Sequence, residues 1–441
     1  MAPNKLPARS TQSSSKLRTQ ALGAQWPPVF RFSNDGFFMS FSKKLLTATA
    51  AFLCATPLSA APRDHSLADW TRIGARLSAE GDTLTAITIL GTIAAKAPKY
   101  LPAQSALERS LDQIGSPKRA DRVLRYVADR APDREMAFNA ALRQLDQSHP
   151  WRISGQISLL PTSNLGHVSS QKVFVTKAGR FQITDGGRET SGLGLGASAS
   201  VDYYIHPALD WRLRLRGAVS GNWYSPKELR FVKPSFSVRY ERLIAGAPWG
   251  ATIEAGHSFY AATHGQTRSD ATDTSLNLDR HWRLAHDANL TVIGSVTQSR
   301  FEAKRYLNGP RYALSLGYDR AISRRSRLEL ALRLERTDLR SDYQSYTRAA
   351  LTVGASRRIT RTLSAKLSAT AGLRDFDGDF PLFGKPRVDR DISLTASVGL
   401  ESFKVMGTTP QLSCTARRNR SNVSLYSYLS LDCGVHFVTQ F

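Results

Sequence analysis

The chain has 441 residues, a formal charge of +24 from 60 Lys and Arg against 36 Asp and Glu, and three cysteines. Beyond residue 60 no apolar run reaches the roughly 20 residues of a membrane helix, so a membrane form of this protein has to cross as a barrel. The basic residues are dispersed rather than clustered, and they follow an export signal, which excludes nucleic acid as a partner.

Residues 1–38 are rich in Ser, Pro, Lys and Arg and carry no periodicity. They read as a disordered or mis-assigned extension. A new pattern begins at Met39, the expected natural start. Lys43 and Lys44 are followed by the short apolar stretch Leu45–Ala55 and by small residues up to Ala61. Residues 39–60 are therefore expected to be a secretory signal peptide cleaved after Ala60. Cys54 follows Phe52 and Leu53, not the small residues of a lipoprotein site, so no lipid anchor is expected. Residues 1–61 hold seven basic residues and one acidic residue, and their removal leaves a charge of about +18. That charge suits a solvated lumen, or contact with acidic lipopolysaccharide or an acidic cargo.

Residues 61–150 have a helical texture and a 34-residue period. Gly81-Asp82 recurs as Gly115-Ser116, Ala86 as Ala120, Leu90 as Leu124, and Ala97-Pro98 as Ala131-Pro132. Trp70 to Gly74 fits the opening of a tetratricopeptide repeat, and each Pro fits its close. Helices are expected over 66–79, 83–96, 101–113, 118–129 and 134–145. Such stacks bind peptides or proteins along a concave face; the plainer alternative is a helical plug or spacer. Two and a half repeats make a small stack that leans on the barrel.

From Trp151 the period changes to 2. Trp211, Leu213 and Leu215 alternate with Arg212, Arg214 and Arg216; Leu328, Leu330, Leu332 and Leu334 alternate with Glu329, Arg333 and Glu335. Fourteen such stretches are expected as strands, near 151–160, 189–206, 208–225, 228–244, 249–264, 271–285, 288–302, 308–322, 326–340, 345–359, 362–374, 388–403, 409–420 and 424–441. Each is long enough to span at roughly 9–11 residues. Connections tend to alternate long and short: 161–188 and 374–387 are long, whereas 206–209, 285–288, 323–326 and 359–362 are tight. Long outer loops and short periplasmic turns mark an outer-membrane barrel. The chain is thus α+β: a helical tetratricopeptide-like domain, then a 14-stranded antiparallel transmembrane β-barrel over 151–441. Arg212, Arg214, Arg216, Arg239, Arg333 and Lys366, with Glu329, Glu335 and Glu401, would line its lumen. Tyr203, Tyr204, Trp211, Trp223, Tyr224, Tyr240, Trp249 and Tyr260 suit an interfacial belt. The last strand carries Gly434, Phe437 and Phe441, the candidate signal for the barrel-assembly machinery. Cys414 and Cys433 sit on the two arms of the final hairpin, as a bridge or as two free thiols.

No catalytic set is legible. His167, His206, His257, His264, His281, His286 and His436 show no metal spacing. Ser220 and Ser258 lack a Gly-x-Ser-x-Gly frame. Asp375, Asp377 and Asp379 alternate in an expected outer loop without an EF-hand spacing. No phosphate-binding Gly-rich run is present. The expectation is no enzyme, no cofactor and no metal.

Three local stretches resemble the surface lipoprotein assembly modulator family. Pro161-Thr162-Ser163-Asn164 is similar to that family's Pro-Asp-Ser-Asn motif, with Thr162 in place of Asp. Ser191-Gly192-Leu193-Gly194-Leu195 opens the second strand in the family manner. Gly407-Thr408-Thr409-Pro410 precedes Ser421-Asn422 and Leu425-Tyr426-Ser427-Tyr428 in the family's order. The motif residues singled out are Pro161, Ser163, Asn164, Gly407, Pro410, Ser421, Asn422, Tyr426 and Tyr428. The resemblance implies a non-enzymatic outer-membrane translocator that delivers a surface lipoprotein or secreted binding protein from periplasm to cell exterior. Its implied partners are outer-membrane lipid, the assembly machinery and a protein cargo met by the periplasmic helical domain and the lumen. The other readings are a passive porin-like channel for small solutes and an adhesive barrel.

Overall fold

The computed structural model describes residues 66–441, apart from 129–130, 170, 172, 178, 183–189, 246, 262–269, 382, 401–402, 404–407 and 441. The extension, the signal peptide, Glu401, Gly407 and Phe441 lie outside the described residues.

Five helices come first: α1 Leu67–Ala79, α2 Thr83–Lys96, α3 Leu101–Asp112, α4 Pro117–Ala128 and α5 Glu135–Ser148. Their starts are written locally. Ser66 and Asp69 form a capping box on α1, Asp82 caps α2, and Pro102 and Pro117 occupy the first turns of α3 and α4. Ile87, Leu90, Leu107, Leu111, Leu124, Phe138, Leu142 and Leu145 make one apolar core. Ala86, Leu90, Ala120 and Leu124, the residues that the 34-residue period aligns, are all buried. The helices do not stack evenly, however. α1 packs on α2 and α2 on α3, but α3 and α4 touch little, and α5 lies across α2 and α4 instead. The approach of α2 to α5 is close enough to need Gly91, where a Cβ would stand 2.3 Å from the Ala137 carbonyl oxygen.

The rest is sheet. The barrel strands are β1 Trp151–Thr162, β4 Gly192–Ala208, β5 Trp211–Tyr224, β6 Phe231–Arg242, β7 Trp249–Tyr260, β8 Ala271–Ala285, β9 Ala288–Phe301, β10 Gly309–Ser323, β11 Ser326–Thr337, β12 Tyr346–Arg358, β13 Leu363–Asp379, β14 Pro386–Leu400, β15 Thr409–Ser421 and β16 Tyr428–Gln440. Each pairs antiparallel with its neighbours, and β1 pairs with both β4 and β16, which closes the cylinder. Between β1 and β4 the chain forms a separate hairpin, β2 Val173–Thr176 and β3 Gly179–Gln182. These are the fourteen barrel strands that the alternation predicts.

The alternation also sorts the two faces. Ile253, Leu276, Leu330, Leu367 and Ile392 are exposed on the outside, as a lipid-facing belt requires. Trp151 stacks near Tyr203, and Tyr240 touches both Trp211 and Trp249, at the end where the helices sit. Tyr204 departs from the expected belt: it is buried on the inner face beneath Arg152 and Arg212. Connections at the helical end include the two-residue turns 209–210, 286–287 and 324–325. At the far end, four connections each hold one short 3-10 turn: Lys227–Leu229, Arg305–Leu307, Asp342–Gln344 and Ser424–Tyr426.

One expected loop is corrected. β13 runs on to Asp379 and β14 starts at Pro386, so the connection is 380–385 and not 374–387. The sequence Asp375-Phe376-Asp377-Gly378-Asp379-Phe380 keeps alternating. Phe376 and Phe380 are buried, while the three aspartates lie on the exposed face of the strand and not in a loop. Asp377 takes both guanidinium nitrogens of Arg336, at 2.8 and 2.6 Å.

Candidate functional site: barrel mouth, lumen and seam

α5 leads into β1 through His149 and Pro150 alone, so the helices are tethered at one wall of the barrel. A buried charge cluster seats them there. Asp146, fully enclosed near the end of α5, receives Arg152 from β1, Arg212 Nη1 from β5 at 2.9 Å and His206 Nδ1 from β4 at 3.0 Å. Asp121 on α4 pairs with Arg212 at 2.9 Å and Arg152 at 3.5 Å. Arg125 on α4 reaches Glu241 on β6 at 2.5 Å, and Arg212 Nε donates to that same carboxylate at 2.7 Å. Tyr204 faces both buried guanidiniums, at 4.0 and 4.5 Å from its ring centre. Three carboxylates thus meet these three arginines, and Arg239, which is shared with Asp279, adds a fourth on Glu241. That balance is what permits such burial, since unpaired charges there would cost several kcal/mol each. Burial pushes the Asp146 carboxyl above the ordinary range, against the pull of His206 and Arg152. Arg125 is held firmly protonated by Asp121 and Glu241 despite its burial. Further contacts complete the joint: Asn139 Nδ2 donates to the Leu243 carbonyl at 3.2 Å, the Lys118 ammonium donates to the Ile153 carbonyl at 2.8 Å, and Leu243 packs into the helical core.

The lumen is lined as expected, but its arginines and lysines are largely neutralised by carboxylates. Arg239 grips Asp279 with two nitrogens, at 2.5 and 2.9 Å, and Glu241 with a third at 2.8 Å. Arg216 forks onto Asp202 at 2.6 and 3.0 Å. Lys233 meets Asp273 at 2.7 Å, Lys366 meets Glu329 at 2.5 Å, and Arg348 meets Asp391 at 2.9 Å. Apart from Arg239 with Glu241, both on β6, each of these pairs joins two different strands of the wall.

The seam between β1 and β16 is held differently. Among the described residues no Arg or Lys side chain bridges these two strands. Their far end is closed instead by hydroxyl, amide and imidazole groups around one carboxylate. Thr162 Oγ1 donates to Asp432, and His167 Nε2 stands 3.2 Å from that carboxylate. Ser163 N donates to the Leu431 carbonyl at 2.9 Å, and Leu431 N donates to Ser163 Oγ at 2.8 Å. Asn164, fully buried, donates through Nδ2 to the carbonyls of Val168 and Leu429 at 2.8 and 3.2 Å. His167, with a positive φ of 47°, stacks on Tyr428 at 5.2 Å.

The expected motif residues divide between the two ends: those of 161–164 and 421–428 lie at the far end, whereas Pro410 begins β15 at the helical end. Pro161 lies opposite Leu193, and Ser163, Asn164 and Tyr428 meet at the far end of the seam. Asn422 caps the neighbouring strand: its Oδ1 accepts from Val388 N and its Nδ2 donates to the Pro386 carbonyl, both at 2.8 Å. Ser421 Oγ accepts from Val423 N. Tyr426 and Phe376 sandwich Arg387 at 3.7 Å each. Pro410 and Phe437 face each other across β15 and β16. Gly434 leaves room for the His436 ring, which a Cβ would approach to 2.7 Å. Cys414 and Cys433 are direct cross-strand partners and are disulfide-bonded. Sequence reasoning missed Asp146, Arg152, Asp121 and Glu241, whose charge pattern alone carries no signal for a joint between domains. It also missed Asp432, which sits on the opposite strand from the motif it completes.

Comparison with known proteins bears on the strands that build this seam. The family model described as Surface lipoprotein assembly modifier matches residues 151–441. The chain belongs to this family. The match runs from β1 through β16 and leaves the five helices outside it. No curated protein matches the chain. Solved structures similar to it include the Pseudomonas putida toluene transporter TodX, at 11% identity and a TM-score of 0.38, covering 69% of this chain and 94% of that one. The outer membrane channel DcaP of Acinetobacter baumannii has 10% identity and a TM-score of 0.38, covering 66% and 96%. Pseudomonas aeruginosa OprD has 9% identity and a TM-score of 0.34, covering 66% and 95%. The barrel itself is established by its closed strand pairing.

Proposed function

We propose that this surface lipoprotein assembly modifier protein is a non-enzymatic translocator of the outer membrane. It carries a protein cargo, a surface lipoprotein or a related secreted binding protein, from the periplasm to the cell exterior. The observation that carries this reading is the family match across the whole barrel. In this reading the signal peptide exports the chain, the barrel-assembly machinery inserts it with the help of the last strand, and the apolar outer face sits in lipid. The helical end faces the periplasm. There the tetratricopeptide-like helices catch cargo, anchored beside the lumen by Asp146 and its arginines. The β1–β16 wall is the side that yields during passage, because hydrogen bonds from hydroxyl and amide donors, with no Arg or Lys bridge between the two strands among the described residues, close its far end.

The test is co-expression with a candidate surface lipoprotein in a Gram-negative host, with protease shaving of intact cells as the readout. Delivery of the cargo to the surface with this protein, and its retention inside without it, is the expected result. Equal surface exposure in both strains would refute the proposal.

A further inference from the structure

Three side chains that are distant in sequence meet at the far end of the barrel, in a part of the wall that neither the seam nor the helical joint uses. His257 lies near the end of β7, Asp270 directly precedes β8, and Glu302 directly follows β9. One ligating atom from each lies within 4.8 Å of the other two. We propose that His257, Asp270 and Glu302 bind a divalent transition-metal ion of the zinc type, tying together the ends of β7, β8 and β9.

The donor set favours such an ion. One imidazole nitrogen with two carboxylates is a ligand chemistry that zinc accepts, whereas calcium and magnesium seek six or more oxygens. The imidazole is also oriented from behind. His257 Nδ1 is 2.9 Å from Thr272 Oγ1, its direct partner in the β7–β8 register. A hydroxyl that accepts from Nδ1–H leaves Nε2 unprotonated for the ion, the usual way a metal-bound histidine is fixed. The ring also packs on Phe259 at 4.4 Å.

The carboxylates are placed by the backbone. Asp270 is buried, and its Oδ1 accepts from Tyr260 N at 2.9 Å. This bond positions the group, and a carboxylate accepts at several lone pairs. Glu302 N donates to the Asp270 carbonyl at 3.0 Å, which sets the third ligand beside the second. Glu302 has no ion-pair partner among the described residues. Arg300, one turn of the alternation earlier and opposite Thr272, forms no ion pair with Glu302 among those residues.

The experiment titrates zinc alone into the tag-free full-length protein in detergent, in competition with a chromogenic chelator. The variants His257→Gln, Glu302→Gln and His281→Gln are run beside the wild type, all checked for the same heat-modifiable folded band. One equivalent of zinc is expected in the wild type and in His281→Gln. Affinity should fall roughly tenfold or more in His257→Gln and measurably in Glu302→Gln, and zinc should raise the melting temperature only where it binds. Wild-type affinity equal to that of folded His257→Gln would overturn the site. Calcium binding as tight as zinc at these residues would overturn the ion class.

Discussion

Thr162 and Asp432 stand 270 residues apart in the chain and share a hydrogen bond across the seam that closes the barrel. The same carboxylate also accepts from Ser430 Oγ at 3.1 Å and faces His167. The short stretch after the first strand and the last strand of the protein are thus one structure. Threonine at 162 is a donor to an acceptor that the other strand provides.

Removing that acceptor should loosen the seam locally. Asp432→Ala leaves the Thr162 hydroxyl and its neighbours without a partner, a loss of about 1–3 kcal/mol. Amide hydrogen exchange in β1 and β16 should quicken at their far ends, while β10 to β12 keep wild-type protection. Unchanged exchange at 158–163 would count against the clasp.

Locking the same seam should stop transport. Leu159 and Val435 are register partners, so Leu159→Cys with Val435→Cys permits a cross-strand bridge. Under oxidising conditions cargo delivery should fall, and a reductant should restore it. Undiminished delivery in the bridged protein would place the route inside a barrel whose seam stays shut.

The helical domain is expected to come off its seat when Asp146 is replaced. Asp146→Ala takes one carboxylate from the buried Arg152 and Arg212 and leaves them to Asp121 and Glu241, at a cost to docking of up to about 3 kcal/mol. Limited trypsin digestion should then release residues 66–148 from a barrel that remains folded. A digestion pattern like the wild type's would argue that the remaining contacts suffice.

The pH dependence contributed by Asp146 has a definite sign. Burial raises the Asp146 carboxyl, so the folded form holds its proton more tightly than the unfolded chain does. The stability from this one group is full below about pH 4 and is lost as pH rises through the raised value. The Asp146 contribution to stability should therefore fall with rising pH above the ordinary carboxylate range. Asp146→Asn should flatten that slope in a proteolysis series from pH 4 to 8.

The final hairpin offers a covalent check. Cys414 and Cys433 enclose a segment with a sequence separation of 19, for which a bridge contributes about 3 kcal/mol. Mass spectrometry of non-reduced digests should recover the linked peptides, and Cys414→Ser with Cys433→Ser should lower the unfolding midpoint in denaturant. Recovery of both thiols free would remove the bridge from the description.

How much of this was legible in the sequence depends on the range of the interaction. Period-2 alternation is local, and it located fourteen strands, because Leu328 to Leu334 and their polar neighbours report on their own faces. The same signal continues through Phe376 and Phe380. Reading aspartates as loop residues ended β13 too early there. Register is not local. Nothing in the string around Arg239 shows that Asp279 will lie two strands away, or that Asp146 at the end of a helix will receive Arg212. The 34-residue period marked the buried Ala86 and Ala120 correctly. It did not reveal that α5 crosses back over α2, which depends on the absence of a side chain at Gly91.

Everything proposed for transport requires the apolar outer face, from Ile253 to Ile392, to lie in lipid. The direct measurement is the behaviour of the purified full-length protein with and without detergent. A folded, heat-modifiable species that needs detergent or lipid to stay dispersed is the predicted result. A compact, monodisperse protein that keeps its sheet structure in plain buffer would contradict it.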